Sequence, residues 1–255
     1  MAELRLPKPI AWVRFPSPAP LKPPAGTLFS WTRPRIRALP ANRIAEIRDW
    51  DLERECERLY SARLPYHNFH HVQTVLGAAE RLLDDCAKEG LEVDGQIVYY
   101  ALLLHDAGYH ESHLALGYAS KEAYSAVLAR RLLSARAVPD AIISRVEQAI
   151  LATLRDGQCR GPEDAVVRMA DLSGIGADYA EFLRNTVNIR AEVALMTNTP
   201  LMPWAEWCAG TQKVLSGYLS GEVGLTADFD RARPGNFFER GQANLERLAL
   251  EPEPA

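Results

Sequence analysis

The segment "YHNFHH", Tyr66 to His71, places three of the chain's six histidines within five residues. Imidazoles at that density can bind a metal, work as an acid–base pair, cap a helix or decorate a solvated face. Pro65 and Tyr66 precede a helical pattern, so "HNFHHVQTVL" is expected to open a helix. His67 and His71, four apart, would then share one side of it. His70 would lie about 100° round and has no assigned role. The pair alone fits a structural pair or cap as well as a metal site.

Two further places carry carboxylates where the surroundings are apolar. "YYALLLHDAGY" runs through buried-type residues into the adjacent pair His105 and Asp106, just before Gly108. An unpartnered buried carboxylate costs several kcal/mol, so a cation or a dense hydrogen-bond network is the expected compensation. The alternative is a helix that surfaces at its end with Asp106 in water, although an acid there opposes the helix dipole. Asp171, in "AVVRMADLSGIG", has Val166, Val167, Met169, Ala170 and Leu172 around it. It faces an interior or a cleft, or it caps the following turn. Two imidazoles and two carboxylates on three segments suit a divalent ion such as Mn, Fe, Zn, Mg, Co or Ni, without selecting among them.

The elements that must bring these groups together read as helices. From residue 41 onward, apolar residues recur at three and four spacing through "AEIRDWDLERECERLY", "HVQTVLGAAERLLDDCAKEG" and "SKEAYSAVLARRLLSARAV". The pattern continues through "PDAIISRVEQAILATL", "DYAEFLRNTVNIRAEVALM", "PWAEWCAGTQKVLSGYL" and "NFFERGQANLERLAL". No alternating β pattern is sustained. An all-α domain over 41–255, with about eight to ten helices, is expected.

Residues 1–40 differ in kind. They hold nine of the 17 prolines, and seven basic residues against Glu3 alone. Proline at that density blocks helix and predicts an irregular or polyproline-like basic extension: a loose leader, a transit peptide or a strap over the rest. With a net charge of −4 for the whole chain, residues 41–255 carry about −10, so a nucleic-acid partner is not expected. The longest apolar run, "IVYYALLL", is far short of the roughly 20 residues of a spanning helix. Cys56, Cys86, Cys159 and Cys208 form no CxxC pair and read as small core residues. With no secretion signal at the N-terminus, a reducing cytoplasm is the expected location.

The order His71, His105–Asp106, Asp171 resembles the signature of the HD superfamily of metal-dependent phosphohydrolases. "YHNFHH" is similar to the "YHNxxH" segment of cyclic-nucleotide phosphodiesterases. The flanking segments "HDAGY", "KEAYSA", "AILAT", "MADLSGIG", "FLRNTVNIRAEV" and "KVLSGYL" resemble, in order, a bacterial family of predicted metal-dependent HD-superfamily phosphohydrolases, over roughly residues 42–250. The chain departs from that pattern in carrying Asp156, where the related family often has histidine. His110 and His113 stand close behind the HD pair rather than on later helices.

The resemblance implies an HD-type helical bundle in which His71, His105, Asp106 and Asp171 hold one or two divalent ions. It implies that Asp106 helps orient a metal-activated water and that His67 protonates the leaving oxygen. Asn68 would fix its turn or touch the substrate. Weaker roles fall to His110, to Glu122 in supporting the ligands and to Arg190 as a phosphate clamp, the last two being equally readable as salt-bridge residues. The expected substrate is a small phosphomonoester or phosphodiester, nucleotide-like in character, with no membrane partner. Two rivals remain: an HD protein that senses a nucleotide without turnover, and a di-iron HD oxygenase.

Overall fold

Helical spacing becomes helix throughout. The computed structural model describes residues 43–221 and 225–254, and among these it contains ten α-helices and no strand. The Pro-rich segment 1–40 lies outside the described residues. In order the helices are α1 (Ile44–Ile47), α2 (Trp50–Glu57), α3 (Phe69–Lys88), α4 (Gly95–Leu104), α5 (Lys121–Ala135) and α6 (Asp140–Leu151). They continue as α7 (Pro162–Asp171), α8 (Tyr179–Thr197), α9 (Trp204–Leu219) and α10 (Phe237–Leu248). A 3-10 turn, Leu172–Gly176, follows α7 directly. No helix among the described residues is long and apolar enough to cross a membrane.

The first helical run is broken where one helix was expected. Asp49 adopts extended backbone and its side chain accepts from the Asp51 and Leu52 N–H groups, capping α2 and ending α1. An aspartate at that position satisfies donors that a continuous helix would have used internally.

The centre is α4. Its residues Ile97, Val98, Tyr99, Ala101, Leu102, Leu103 and Leu104 are all buried, so it is apolar all round, as only a helix enclosed by others can be. It packs against α3, α5, α6 and α7, and each fully buried leucine or isoleucine contributes about 1.5–3 kcal/mol. This enclosed helix ends by delivering His105 as its C-cap.

The turn after α4 is pinned from two sides. The Gly108 N–H donates to the Leu59 carbonyl at 2.9 Å, and Ser125 Oγ donates to the Ala107 carbonyl at 2.9 Å. Gly108 has φ +73°, and a Cβ there would lie 2.5 Å from Tyr124. Gly108→Ala is therefore expected to destabilise the protein by about 2–4 kcal/mol through left-handed strain and overpacking. Denaturant unfolding measures this; an unchanged midpoint would contradict it.

Two polar devices hold the other site-bearing segments. Arg168 of α7 donates to the carbonyls of Ala152 (2.6 Å), Leu154 (2.7 Å) and Arg155 (2.9 Å), closing the end of α6 and locking α7 to it. Asn244 of α10 donates to the Ile175 and Ala177 carbonyls, both at 2.9 Å, and so fixes the 3-10 turn behind Asp171. Cys56, Cys86 and Cys208 are buried as expected, whereas Cys159 is exposed in the loop before α7, where no core reaches it.

Candidate metal centre

Three helix ends meet at one point. α3 opens at Phe69 because Asn68 caps it: the Asn68 side-chain oxygen accepts from the His70 N–H (2.8 Å) and the His71 N–H (3.4 Å). This corrects the expected helix start. His67 lies before the helix, in the turn, and reaches the site through that turn rather than through helical spacing from His71. The imidazole of His71, in the first turn of α3, points into the buried centre.

His105 donates from Nδ1 to the Leu102 carbonyl at 2.8 Å. That bond sets the tautomer in which Nε2 carries the free lone pair, the form that ligates metals. His105 Nε2 lies 2.9 Å from Asp106 Oδ2 and 3.4 Å from Asp171 Oδ1, and His71 Nε2 lies 3.6 Å and 3.4 Å from the same two oxygens. None of these approaches aligns His71 Nε2, His105 Nε2 or Asp106 Oδ2 as a hydrogen bond; all three are buried polar atoms without a hydrogen-bond partner among the described residues.

Asp106 is 13 % exposed, so α4 does not surface there. Asp171 makes no capping bond to the 3-10 turn that follows it; its carboxylate turns to the two histidines instead.

Burial alone would lower the His105 pKa, but the charges of Asp106 and Asp171 hold it well above its ordinary value. Burial alone would raise the Asp171 pKa, but contact with His105 and His71 holds it well below the usual carboxylate range. A positive charge shared among these groups is what the set requires. Orphaned acceptors pointing at one another, with one ring already in the ligating tautomer, fit an ion better than a hydrogen-bond network. His71, His105 and Asp106 thus form a group that could hold a metal ion.

No family model matches the chain, and no curated protein matches it. What the site does must therefore be argued from its own atoms.

Beside the cluster, His67 is held on three sides. Its Nδ1 pairs with Glu192 Oε1 of α8, while Glu192 Oε2 accepts from the Tyr66 N–H at 2.9 Å and the His67 N–H at 2.8 Å. Its ring stacks on Tyr109, with centroids 3.8 Å apart and planes 13° apart. The side chain of Glu192 is 2 % exposed. Burial pushes its pKa up, but the hydrogen bonds from His67 and the two backbone donors outweigh this and lower it. Lys121 covers the other face of Tyr109, with Nζ 3.5 Å from the ring centroid and 2.6 Å from the Tyr109 carbonyl oxygen. Burial lowers the Lys121 pKa to about 8, against the pull of Asp106, Glu192 and Glu122.

Glu192, Tyr109 and Lys121 were not marked by the sequence. Helical spacing groups Glu192 with Glu181, Arg184, Asn185 and Asn188 on one face of α8, but such a polar stripe reads the same whether it meets solvent or a site.

Of the remaining candidates, only Asn68 lines the cleft beside His71 and Asp171. Asn68 is committed to its cap and to the Leu64 carbonyl. His110 is exposed and His113 buried, and neither belongs to the cluster. Glu122 sits in the first turn of α5, with its charge near Lys121 and Tyr109. Arg190 donates to the Met202 carbonyl at 2.8 Å and pairs with Glu253 at 2.7 Å, so it ties α8 to the C-terminal segment rather than facing the cluster.

Proposed function

We propose that the protein is a metal-dependent hydrolase of phosphoesters. The observation that carries this reading is the convergence of three buried, unpartnered ligand-type atoms beside a histidine whose other nitrogen is fixed by a buried carboxylate. His71, His105, Asp106 and Asp171 would hold one or two divalent ions of the Mn, Fe, Zn, Mg, Co or Ni class. A bound ion would supply Lewis acidity, making water a competent nucleophile near neutral pH.

The chain's own residues do the rest. A water oxygen attacks phosphorus and releases one proton to solvent, the bond from phosphorus to the leaving oxygen breaks, and that leaving oxygen takes a proton from the protein. His67 is the donor. Glu192 holds the proton on Nδ1, which leaves Nε2 as the nitrogen that serves the leaving group, and stacking on Tyr109 fixes the plane of the ring.

Metal analysis of the purified chain, followed by assay of the metal-loaded protein on phosphomonoesters and phosphodiesters, tests the reading. Absence of bound divalent metal after reconstitution, or metal without turnover on any of these esters, would refute it. His67→Ala is expected to keep its metal. It should lose about 10²–10⁴ in turnover on alkyl phosphates, which need a protonated leaving group, and far less on p-nitrophenyl phosphate, which does not. Equal losses on both would remove His67 as proton donor.

A further inference from the structure

A cleft of about 280 Å³ opens on the His71 and Asp171 side of the cluster. Its far wall is α8, through Glu181, Arg184, Asn185 and Asn188. With Glu192, these residues follow i, i+3, i+4, i+7 and i+11 spacing, which places them within an arc of about 100° on one helix face. A helix packed against a core normally presents apolar residues at that spacing. Here the stripe is polar from end to end. Glu192 is accounted for by His67, which leaves the other four facing the cleft.

The side chains of Arg184, Asn185 and Asn188 make no hydrogen bond or ion pair among the described residues. Among the described residues lining the cleft, Arg184 is the only Lys or Arg, and the charged groups beside it are the carboxylates Asp171 and Glu181. A phosphate approaching those carboxylates needs a compensating cation besides the metal, and a guanidinium supplies one with paired donors. Asn185 lies against the turn behind Asp171, where a Cβ on Gly174 would come within 2.9 Å of its Nδ2, so this carboxamide sits beside the cluster rather than at the rim. Carboxamides both donate and accept, which is what hydroxyl groups require.

The lining also limits the body of the ligand. Among the described residues, no Phe or Trp lines the cleft. The ring of Tyr66 is already taken, packed on His67 at 4.8 Å and on His71 at 4.7 Å. Among the described residues, a nucleobase would find only the exposed His70 imidazole to stack on, and no larger open ring. The volume is also at the bottom of the range of roughly 300–1,000 Å³ for larger organic ligands.

We infer that the α8 stripe is the substrate-binding wall of this site, and that the substrate is a compact, hydroxylated phosphomonoester of the sugar-phosphate or polyol-phosphate class rather than a nucleotide. Arg184 takes a phosphate oxygen; Asn185, Asn188 and Glu181 take hydroxyls. The inference rests on the hydrolase reading above and narrows the nucleotide-like substrate that the resemblance implied.

The test uses the full chain loaded with Mn²⁺ and three probes: ribose 5-phosphate, adenosine 5′-monophosphate and p-nitrophenyl phosphate. The expected kcat/KM for ribose 5-phosphate exceeds that for the nucleotide by at least about tenfold, the scale of one or two lost hydrogen bonds. Calorimetric titration with inorganic phosphate is expected to show binding that Arg184→Gln weakens by about tenfold or more, with metal content unchanged. Asn188→Leu is expected to raise KM for ribose 5-phosphate more than for p-nitrophenyl phosphate, which has no hydroxyls to lose. If the nucleotide is turned over as well as the sugar phosphate, or Arg184→Gln binds phosphate as tightly as the parent, the inference fails and the hydrolase reading stands. If none of the three esters is turned over, it is the hydrolase reading that fails, and the inference goes with it.

Discussion

Asp106→Ala is expected to lower metal affinity by more than about 100-fold, beyond the 10–100-fold typical of groups that only support a ligand. The reason is positional. Asp106 Oδ2 is the oxygen nearest His105 Nε2 and also faces His71 Nε2, so its loss removes one of the two carboxylates that both imidazoles face, the more buried one. His105→Ala is expected to behave similarly, with an added cost in stability because the ring is buried where α4 ends. Plasma emission analysis after dialysis against a fixed Mn²⁺ concentration gives the metal content, and circular dichroism confirms that the helices persist. The thermal midpoint of the parent should rise with added Mn²⁺, because a ligand that binds only the folded state stabilises it; that of Asp106→Ala should not. A folded Asp106→Ala protein with full metal occupancy would refute the assignment.

The second large effect falls on Glu192. Its carboxylate satisfies three donors at once, the Tyr66 and His67 N–H groups and the His67 ring, and it is almost fully enclosed. Glu192→Ala leaves those donors without their acceptor and is expected to cost about 3–5 kcal/mol in stability, the range for breaking a buried pair from one side. Glu192→Gln keeps the volume and one acceptor oxygen, and is expected to cost about 1–3 kcal/mol. Both variants should retain metal, since Glu192 touches no ligand, while kcat on alkyl phosphates falls by about 10²-fold as His67 loses its orientation. The pH dependence adds a separate sign. The folded pKa of Glu192 is lowered, so its stabilisation is present above the unfolded value near 4.5 and is lost as pH falls below it. The acid limb of the stability curve should therefore be shallower in Glu192→Gln than in the parent.

How far the sequence carries can be seen residue by residue. Three-and-four spacing was enough for an all-α fold of about eight to ten helices, and the described residues hold ten, because that spacing is itself the helix repeat. It failed where a local polar group overrode it. Asp49 splits the first helical run, and Asn68 starts α3 two residues after His67, so His67 stands outside the helix it was expected to share. His71, His105, Asp106 and Asp171 were legible as a set because carboxylates in apolar runs demand compensation wherever the chain takes them. Glu192 was not legible. A glutamate on a helix is ordinary, and its significance comes from burial against a residue more than 120 positions away. Arg190, two residues earlier, shows the converse: it is buried and cationic, yet it works as a tether to Met202 and Glu253.

The polar stripe of α8 has a consequence for how this scaffold can diversify. Glu181 and Glu192 stand eleven positions apart on one helix, about 16 Å along its axis. One end of that rod holds His67 and the other meets the cleft, so on the proposed function selectivity and chemistry would be set at different addresses on a single part. Duplicated copies of the chain can drift at 181, 184, 185 and 188, acquiring new preferences, while 192 keeps the acid in register. The helix is a chassis with an interchangeable front end.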